Sequence, residues 1–446
     1  MFGSSMRRGP WRRRGVVVAI LAAATIALTA CSSGGSSPSP DETGPVTLQF
    51  WTYSLKSADP KAQAVIKQYE KENPNVTIKL SEVGGTPDIA SKLLAADRAN
   101  TAPDVVQIEY RALPSLVLAG VVKDITKDVA PVRKNVAENI WALNSLNGKT
   151  YGVPQDIGPM MFTYRADLFK KYGVEVPKTW ADYAKAAEVI HKKNPKAYIA
   201  SFSASQFEFF LAQARQAGAQ WWSTDGQKWK VGFDDPASLA TADYWEDLVK
   251  RDLVKVEPLL TPEWNAQANN GQILSWAAAA WAPSVIYAVA PKTAGKWESA
   301  PLPQWKAGDA AVPFLGGSTY LVPAKSKHAA AAAKFASWLG ASDEGSKLLL
   351  GLDLFPGGSA GRAATLDAAP PHLMPEQTDF YKVADQVVKN TTLPVTFGPD
   401  VTVAENTFGD ALSKAALNKT SFRAVYEATQ KTVEADLKKS GYDVTD

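Results

Sequence analysis

The chain has 446 residues, 46% hydrophobic and 21% charged, an ordinary composition for a globular protein. It carries 48 Lys and Arg against 45 Asp and Glu. Five of the arginines lie in residues 1–30, which hold no acid, so the remainder balances 43 bases against 45 acids and offers no basic surface for nucleic acid. The single cysteine excludes an intramolecular disulfide.

The chain opens with a targeting segment. Arg7, Arg8, Arg12, Arg13 and Arg14 form a basic start, and Gly15 to Leu28 is an apolar run too short to span a bilayer. Leu28-Thr29-Ala30-Cys31 has the pattern of a lipobox. An acylated Cys31 would anchor the protein stably to the outer face of the cytoplasmic membrane, with residues 1–30 removed. The arginine pairs leave both the general and the twin-Arg export routes open. Residues 31–45 (CSSGGSSPSPDETGP) read as a flexible tether, with a reach of about 20 Å by random-coil scaling.

The remaining roughly 400 residues suffice for two or three domains. Val46 to Phe50 alternates as a first strand, and Ala62 to Glu72 reads as a helix closed by Asn73-Pro74. Val76 to Leu80 is a second strand. Thr86-Pro87-Asp88 marks a helix start with Thr86 as cap, and residues 103–108 form a third strand. Strand alternating with helix predicts a mostly parallel sheet covered on both faces, with ligand at the strand ends.

Leu146 to Ile190 is the most informative stretch. Asn147-Gly148 is a hairpin turn. Thr150 to Val153 reads as a strand stopped by Pro154, a polar loop follows through Pro159, and Met160 to Tyr164 reads as another strand. Asp167 to Tyr172 is a helix ended by Gly173, and Thr179 caps a longer helix. Further on, Tyr198 to Phe202 and Ile273 to Trp281 read as strands. Gln206 to Gln216, Pro236 to Arg251 and Ala329 to Leu339 read as helices, Asp225-Gly226 as a turn, and the chain ends in helices over 380–389, 403–417 and 421–439.

GKTYGVP, FTYRADLFKKYGV and PKTWADYAKAAEVI together resemble the family 1 extracellular solute-binding proteins, the sugar-type receptors of ABC importers that include the maltose-binding proteins. Gly271-Gln272-Ile273 with Trp281, the run Gly316 to Pro323, and Gly351 to Arg362 extend the likeness. The family usually has Tyr-Asn where this chain has Tyr164-Arg165, and its usual Met is absent before Trp281. The resemblance implies an α/β, two-lobed periplasmic-binding-protein-like fold with discontinuous lobes and a hinge. By analogy, residues 45–155 with 316–362 form lobe one, and 156–315 with 363–446 form lobe two. It further implies a sugar ligand in the cleft, partnership with an ABC permease and ATPase, and a monomer.

No nucleophile, phosphate-loop, zinc or dinucleotide motif is present, so no enzyme activity, metal or cofactor is expected. His191, His328 and His372 read as exposed. The 14 tryptophans are the notable feature. Sugars present flat C–H faces ringed by hydroxyls, which suit aromatic planes flanked by planar polar groups. In the family's arrangement Trp51, Tyr53, Tyr110, Trp221, Trp222, Trp276, Trp281 and Phe355 would face the cleft. Glu109, Arg111, Asp156, Gln206, Glu208 and Arg362 are the candidate polar partners, and Gly317-Ser318 lets ligand approach the backbone. Trp281 and Trp222 are the foremost of the set. Trp141, Trp180, Trp245 and Trp338 are assigned to packing. A receptor for a glycerophosphodiester or polyamine, or a surface enzyme or sensor on the same fold, remains an alternative.

Overall fold

The computed structural model describes residues 44–226, 228–352, 354–391 and 396–445. The leader, Cys31 and the tether through residue 43 lie outside the described residues.

A seven-stranded sheet organises these residues. Its strands are β1 (Val46–Thr52), β2 (Val76–Glu82), β3 (Val105–Glu109), β4 (Gly152–Arg165), β5 (Ser275–Ala279), β6 (Trp297–Pro301) and β7 (Phe314–Leu321). The order is β5-β4-β7-β3-β1-β2, with β6 also paired to β4. β1 pairs in parallel with β2 and β3, whereas β7, β4, β5 and β6 join antiparallel. The parallel βαβ reading therefore holds for residues 46–109, and the sheet beyond them is antiparallel.

Alternation makes β1 a strand: Val46, Leu48 and Phe50 are buried while Thr47 and Gln49 face out. β3 buries Val105 to Ile108 without alternating because both faces are covered. Val106 and Ile108 pack with Ile89 and Leu93 of the helix Thr86–Arg98, whereas Val105 joins the larger core with Val65 and Phe335. That helix is capped by Gly85, not by Thr86. The Thr86 hydroxyl instead accepts the Glu109 N–H at 3.2 Å, tying the helix start to the end of β3.

The Asn147-Gly148 turn forms as expected, with φ of 50° and 74°. The loop expected over 154–159 does not. β4 runs unbroken for 14 residues, all buried. Proline breaks a ladder only where an N–H is needed, and both prolines sit at irregularities. The register skips Gln155 between Asp156↔Ser318 and Pro154↔Thr319, and shifts again before Pro159↔Phe314.

β4 changes partners along its length. Gly152 to Ile157 lie against β7, while Met160 to Arg165 lie between β5 and β6. Close approach at the changeover needs glycine, since a Cβ on Gly158 would stand 1.9 Å from the Leu315 carbonyl oxygen.

Around the far end of β4 lies a helical, aromatic-rich body. Trp180, Tyr183, Phe202, Phe210 and Trp245 pack edge to face or tilted. Thr179 caps the helix Trp180–Lys193 by accepting the Asp182 N–H at 3.1 Å. The expected strand over 198–202 shortens to Ser201–Phe202, and the polar run before β5 is a helix, Pro262–Asn270, capped by Thr261. Trp141, Trp180 and Trp245 are buried and Trp338 half-buried, in keeping with packing roles. His372 is exposed, but His191 and His328 are half-buried, His191 because its ring lies against Tyr198.

Candidate functional site

Three strands bring their polar residues into one row. Ser318 of β7 stands opposite Glu109 of β3 on one side and Asp156 of β4 on the other. Residues opposite one another share a face of the sheet, so the row presents two carboxylates around a hydroxyl. Tyr53, just past β1, closes the row: its hydroxyl lies 2.6 Å from Ser318 Oγ. The Tyr110 hydroxyl donates to the Asp156 carbonyl at 3.0 Å. Gly317 has a φ of +92°, and a Cβ there would come within 2.9 Å of the Asp156 carbonyl oxygen and 3.0 Å of the Tyr110 ring. Only glycine passes at that point.

Next to the row is an ionic cluster. Arg111 Nε lies 2.7 Å from Glu109 and 2.9 Å from Glu208, and Arg111 Nη1 reaches Glu405. Glu208, in the first turn of the helix Phe207–Gln216, also accepts the Gly316 N–H at 3.1 Å. Between these groups and Leu143, Phe314 and Phe397 remains a cavity of about 10 Å³.

An aromatic row approaches from β5. Trp264 packs edge-on against Trp276, and Trp276 against Trp281, at 5.7 and 5.5 Å between centroids. Trp281 ends the row half-buried, donating its indole N–H to the Leu315 carbonyl at 3.2 Å.

The electrostatics follow from too few cations. Burial pushes the Asp156 carboxyl up to about 7; hydrogen bonds from Ser318 hold it back, and Glu109 pushes the same way as burial. Glu208 also rises to about 7, through burial and then Glu109, with Arg111 opposing. Arg111 gains from the cluster where Glu208 does not: its guanidinium is shared among three glutamates, so its own charged form is favoured. Burial first, then Glu109 and Asp156, raise the Tyr53 hydroxyl far above its usual range.

The structure thus brings together Tyr53, Glu109, Tyr110, Arg111, Asp156, Glu208, Gly317 and Ser318, with Trp281 at the edge and Trp276 behind it. Gln206 is the residue flanking the start of the Glu208 helix. Other expected residues lie elsewhere. Trp221 is buried, stacked on Phe233 and bonded to Ser238. Trp222 is buried as well, with its N–H on Asp400 and Gly398 laid against its ring. Trp222 pairs with Val231 across the Asp225-Gly226 hairpin. Trp51 is half-buried against the Ile89 and Leu93 side of the sheet. Phe355 stacks on Tyr381, and its carbonyl accepts the Ile157 N–H at 2.9 Å. Arg362 donates to the Gly357 carbonyl and to Ser359 Oγ, bracing its own loop.

Four residues at the cavity escaped sequence reasoning: Leu143, Phe314, Phe397 and Glu405. Glu405 sits on the helix Val401–Asn418, whose pattern marks its polar positions only as a solvated face. Among the described residues no group of His, Cys, Asp and Glu could hold a metal ion, and no helix is long and apolar enough to cross a membrane.

Residues 54–346 match the family model of the bacterial extracellular solute-binding proteins. The chain belongs to this family. The solute-binding protein is 27% identical over 343 residues to the arabinooligosaccharide-binding protein of Bacillus subtilis, covering 74% of this chain and 77% of the relative. It superposes with a TM-score of 0.77, at 27% identity, on the ABC-transporter-associated binding protein of B. animalis subsp. lactis Bl-04 solved with β-1,6-galactobiose, covering 90% and 99% of the two chains. The galacto-N-biose/lacto-N-biose I-binding protein of Bifidobacterium longum shares the fold at a TM-score of 0.80 and 24% identity, over 91% and 100%. These structural neighbours are two-domain receptors of the periplasmic-binding-protein type, and this solute-binding protein shares that fold.

Proposed function

We propose that this solute-binding protein is an extracytoplasmic receptor that captures a carbohydrate, an oligosaccharide or sugar derivative, and delivers it to an ABC permease driven by its ATPase. The observation that carries the reading is the row Glu109, Ser318 and Asp156 across three strands where β4 changes partners, with Arg111 beside it and Trp281 at its edge. Carboxylates and a guanidinium are planar, multivalent partners for adjacent hydroxyls, and an indole face suits a sugar ring. The sugar-binding relatives support the same ligand class.

In this reading residues 45–155 with 316–362 form one lobe, and 156–315 with 363–446 the other. The partner change at Gly158-Pro159 supports a hinge there. A ligand touching both lobes favours closure because it gains contacts only in the closed form. The receptor acts as a monomer, does not transform its ligand, and is held by an acylated Cys31 at the outer face of the membrane. Calorimetric titration with arabinooligosaccharides and with β-1,6-galactobiose, followed by recovery of the sugar, tests this. Saturable binding with the sugar intact is the expected result; consumption of the sugar would make the protein an enzyme.

A further inference from the structure

Charged groups from three separate elements meet at the cavity. Arg111 follows β3, while Glu208 and Glu405 stand on the helices Phe207–Gln216 and Val401–Asn418, which pack against each other. Arg111 bonds both glutamates, and Glu208 in turn takes the Gly316 N–H. These side chains are neither surface nor core: 14% of Arg111, 20% of Glu208 and 32% of Glu405 is exposed. Partial burial strengthens the attraction relative to a fully exposed pair, yet leaves it within reach of salt. The space they leave, about 10 Å³, falls far below the roughly 300–1,000 Å³ of small-molecule sites. A disaccharide cannot enter while these contacts persist.

We propose that Arg111, Glu208 and Glu405 form an ionic latch that closes the cleft on its own and that an incoming ligand must displace, which makes Glu405 a residue that sets apparent affinity. The proposal rests on the two-lobe reading, with Arg111 on one wall and the two glutamates on the other. The latched conformer does not admit ligand, so apparent affinity falls with the fraction that is open. Displacement also frees the Arg111 fork to donate to ligand oxygens. Weakening the latch therefore raises affinity instead of lowering it. An uncharged sugar, whose own contacts respond little to salt, binds more tightly as ionic strength rises.

The test needs no sugar, so its outcome stands apart from that of the carbohydrate reading. Small-angle scattering is recorded for the protein alone and for Glu405→Gln, at about 0.1 M and about 1 M salt, between which the screening length falls from about 10 to about 3 Å. The latch predicts a compact wild type that expands in high salt and a variant expanded in both. A wild type already expanded at low salt, or a variant as compact as the wild type, overturns it. Arg111→Met gives the same reading should Glu405→Gln not fold. With any sugar that binds, Glu405→Gln is expected to bind roughly two- to fivefold tighter, on the scale of one partly exposed ion pair; equal or weaker binding contradicts the latch.

Discussion

The indole N–H of Trp281 donates to the carbonyl oxygen of Leu315 at 3.2 Å, joining the end of the β5 aromatic row to β7, the strand between β3 and β4. Trp281 is half-buried, with Trp276 behind it and the Gly316-Gly317 segment beside it. Trp281→Ala is expected to weaken sugar binding by more than tenfold while thermal unfolding stays cooperative. Calorimetry on the variant checks it, and unchanged affinity would remove this face from the site.

Gly317 lets β7 lie close against β4. With φ at +92° and the Asp156 carbonyl 2.9 Å from any added Cβ, Gly317→Ala strains the backbone and pushes β7 from β4. A loss of about 1–3 kcal/mol, the usual scale for such strain, is expected in denaturant unfolding. A variant as stable as the wild type would show that the strands separate freely there.

Asp156 predicts a pH signature. Its folded value is raised to about 7 by burial, well above the ordinary 3.8. Between those values the folded protein binds more protons than the unfolded chain, so this group's contribution to stability falls as pH rises from about 4 to about 7 and is flat above. Asp156→Asn removes the penalty. It is expected to raise the unfolding temperature at pH 8 relative to wild type, with the advantage vanishing near pH 4. An advantage independent of pH would mean that Asp156 is not carrying a buried charge.

Ligand charge should matter in one direction. Among the described residues Arg111 is the single base lining the cavity and it serves three glutamates, while Asp156 Oδ1 has no partner. Even with Arg111 released to it, an anionic ligand meets more carboxylates than cations. A uronic-acid form of any bound sugar is therefore expected to bind at least about tenfold more weakly than the neutral form, on the scale of one unfavourable charge contact. Equal affinities in competition titrations would contradict this.

Anchoring is tested separately. Cys31→Ala is expected to release the protein from the membrane fraction, and retention there would rule out the lipobox reading.

Much of the fold was legible where local pattern and tertiary role agree. Val46, Leu48 and Phe50 alternate because one face of β1 is core, and Thr179 stops the chain where a helix must start. Pro154 and Pro159 misled because the bulges that excuse a missing N–H are made by β7, more than 150 residues away in sequence. Residues 297–301 gave no strand signal, since β6 owes its pairing to β4. At the site, Glu109 and Ser318 adjoin strand signals in the sequence, whereas Asp156 was read in a loop and is brought beside them by the pairing of β4 with β7. Trp221 and Trp222 look no different from Trp281 in sequence. Their partners, Phe233 and Ser238 for Trp221 and Asp400 for Trp222, hold them in the core and are distant in sequence. Glu405 was hidden on a helix whose polar face looks like any solvated one.

The measurement that bears most directly on the central claim is a thermal-unfolding screen against mono-, di- and oligosaccharides, glycerophosphodiesters and polyamines. A true ligand at 100 times its Kd adds about 2.7 kcal/mol, or about 5–10 °C at roughly 2–4 °C per kcal/mol. The account predicts a shift of that size with one class of neutral sugar and none with glycerophosphodiesters. A shift confined to glycerophosphodiesters or polyamines would contradict the carbohydrate reading and leave the solute-binding fold standing.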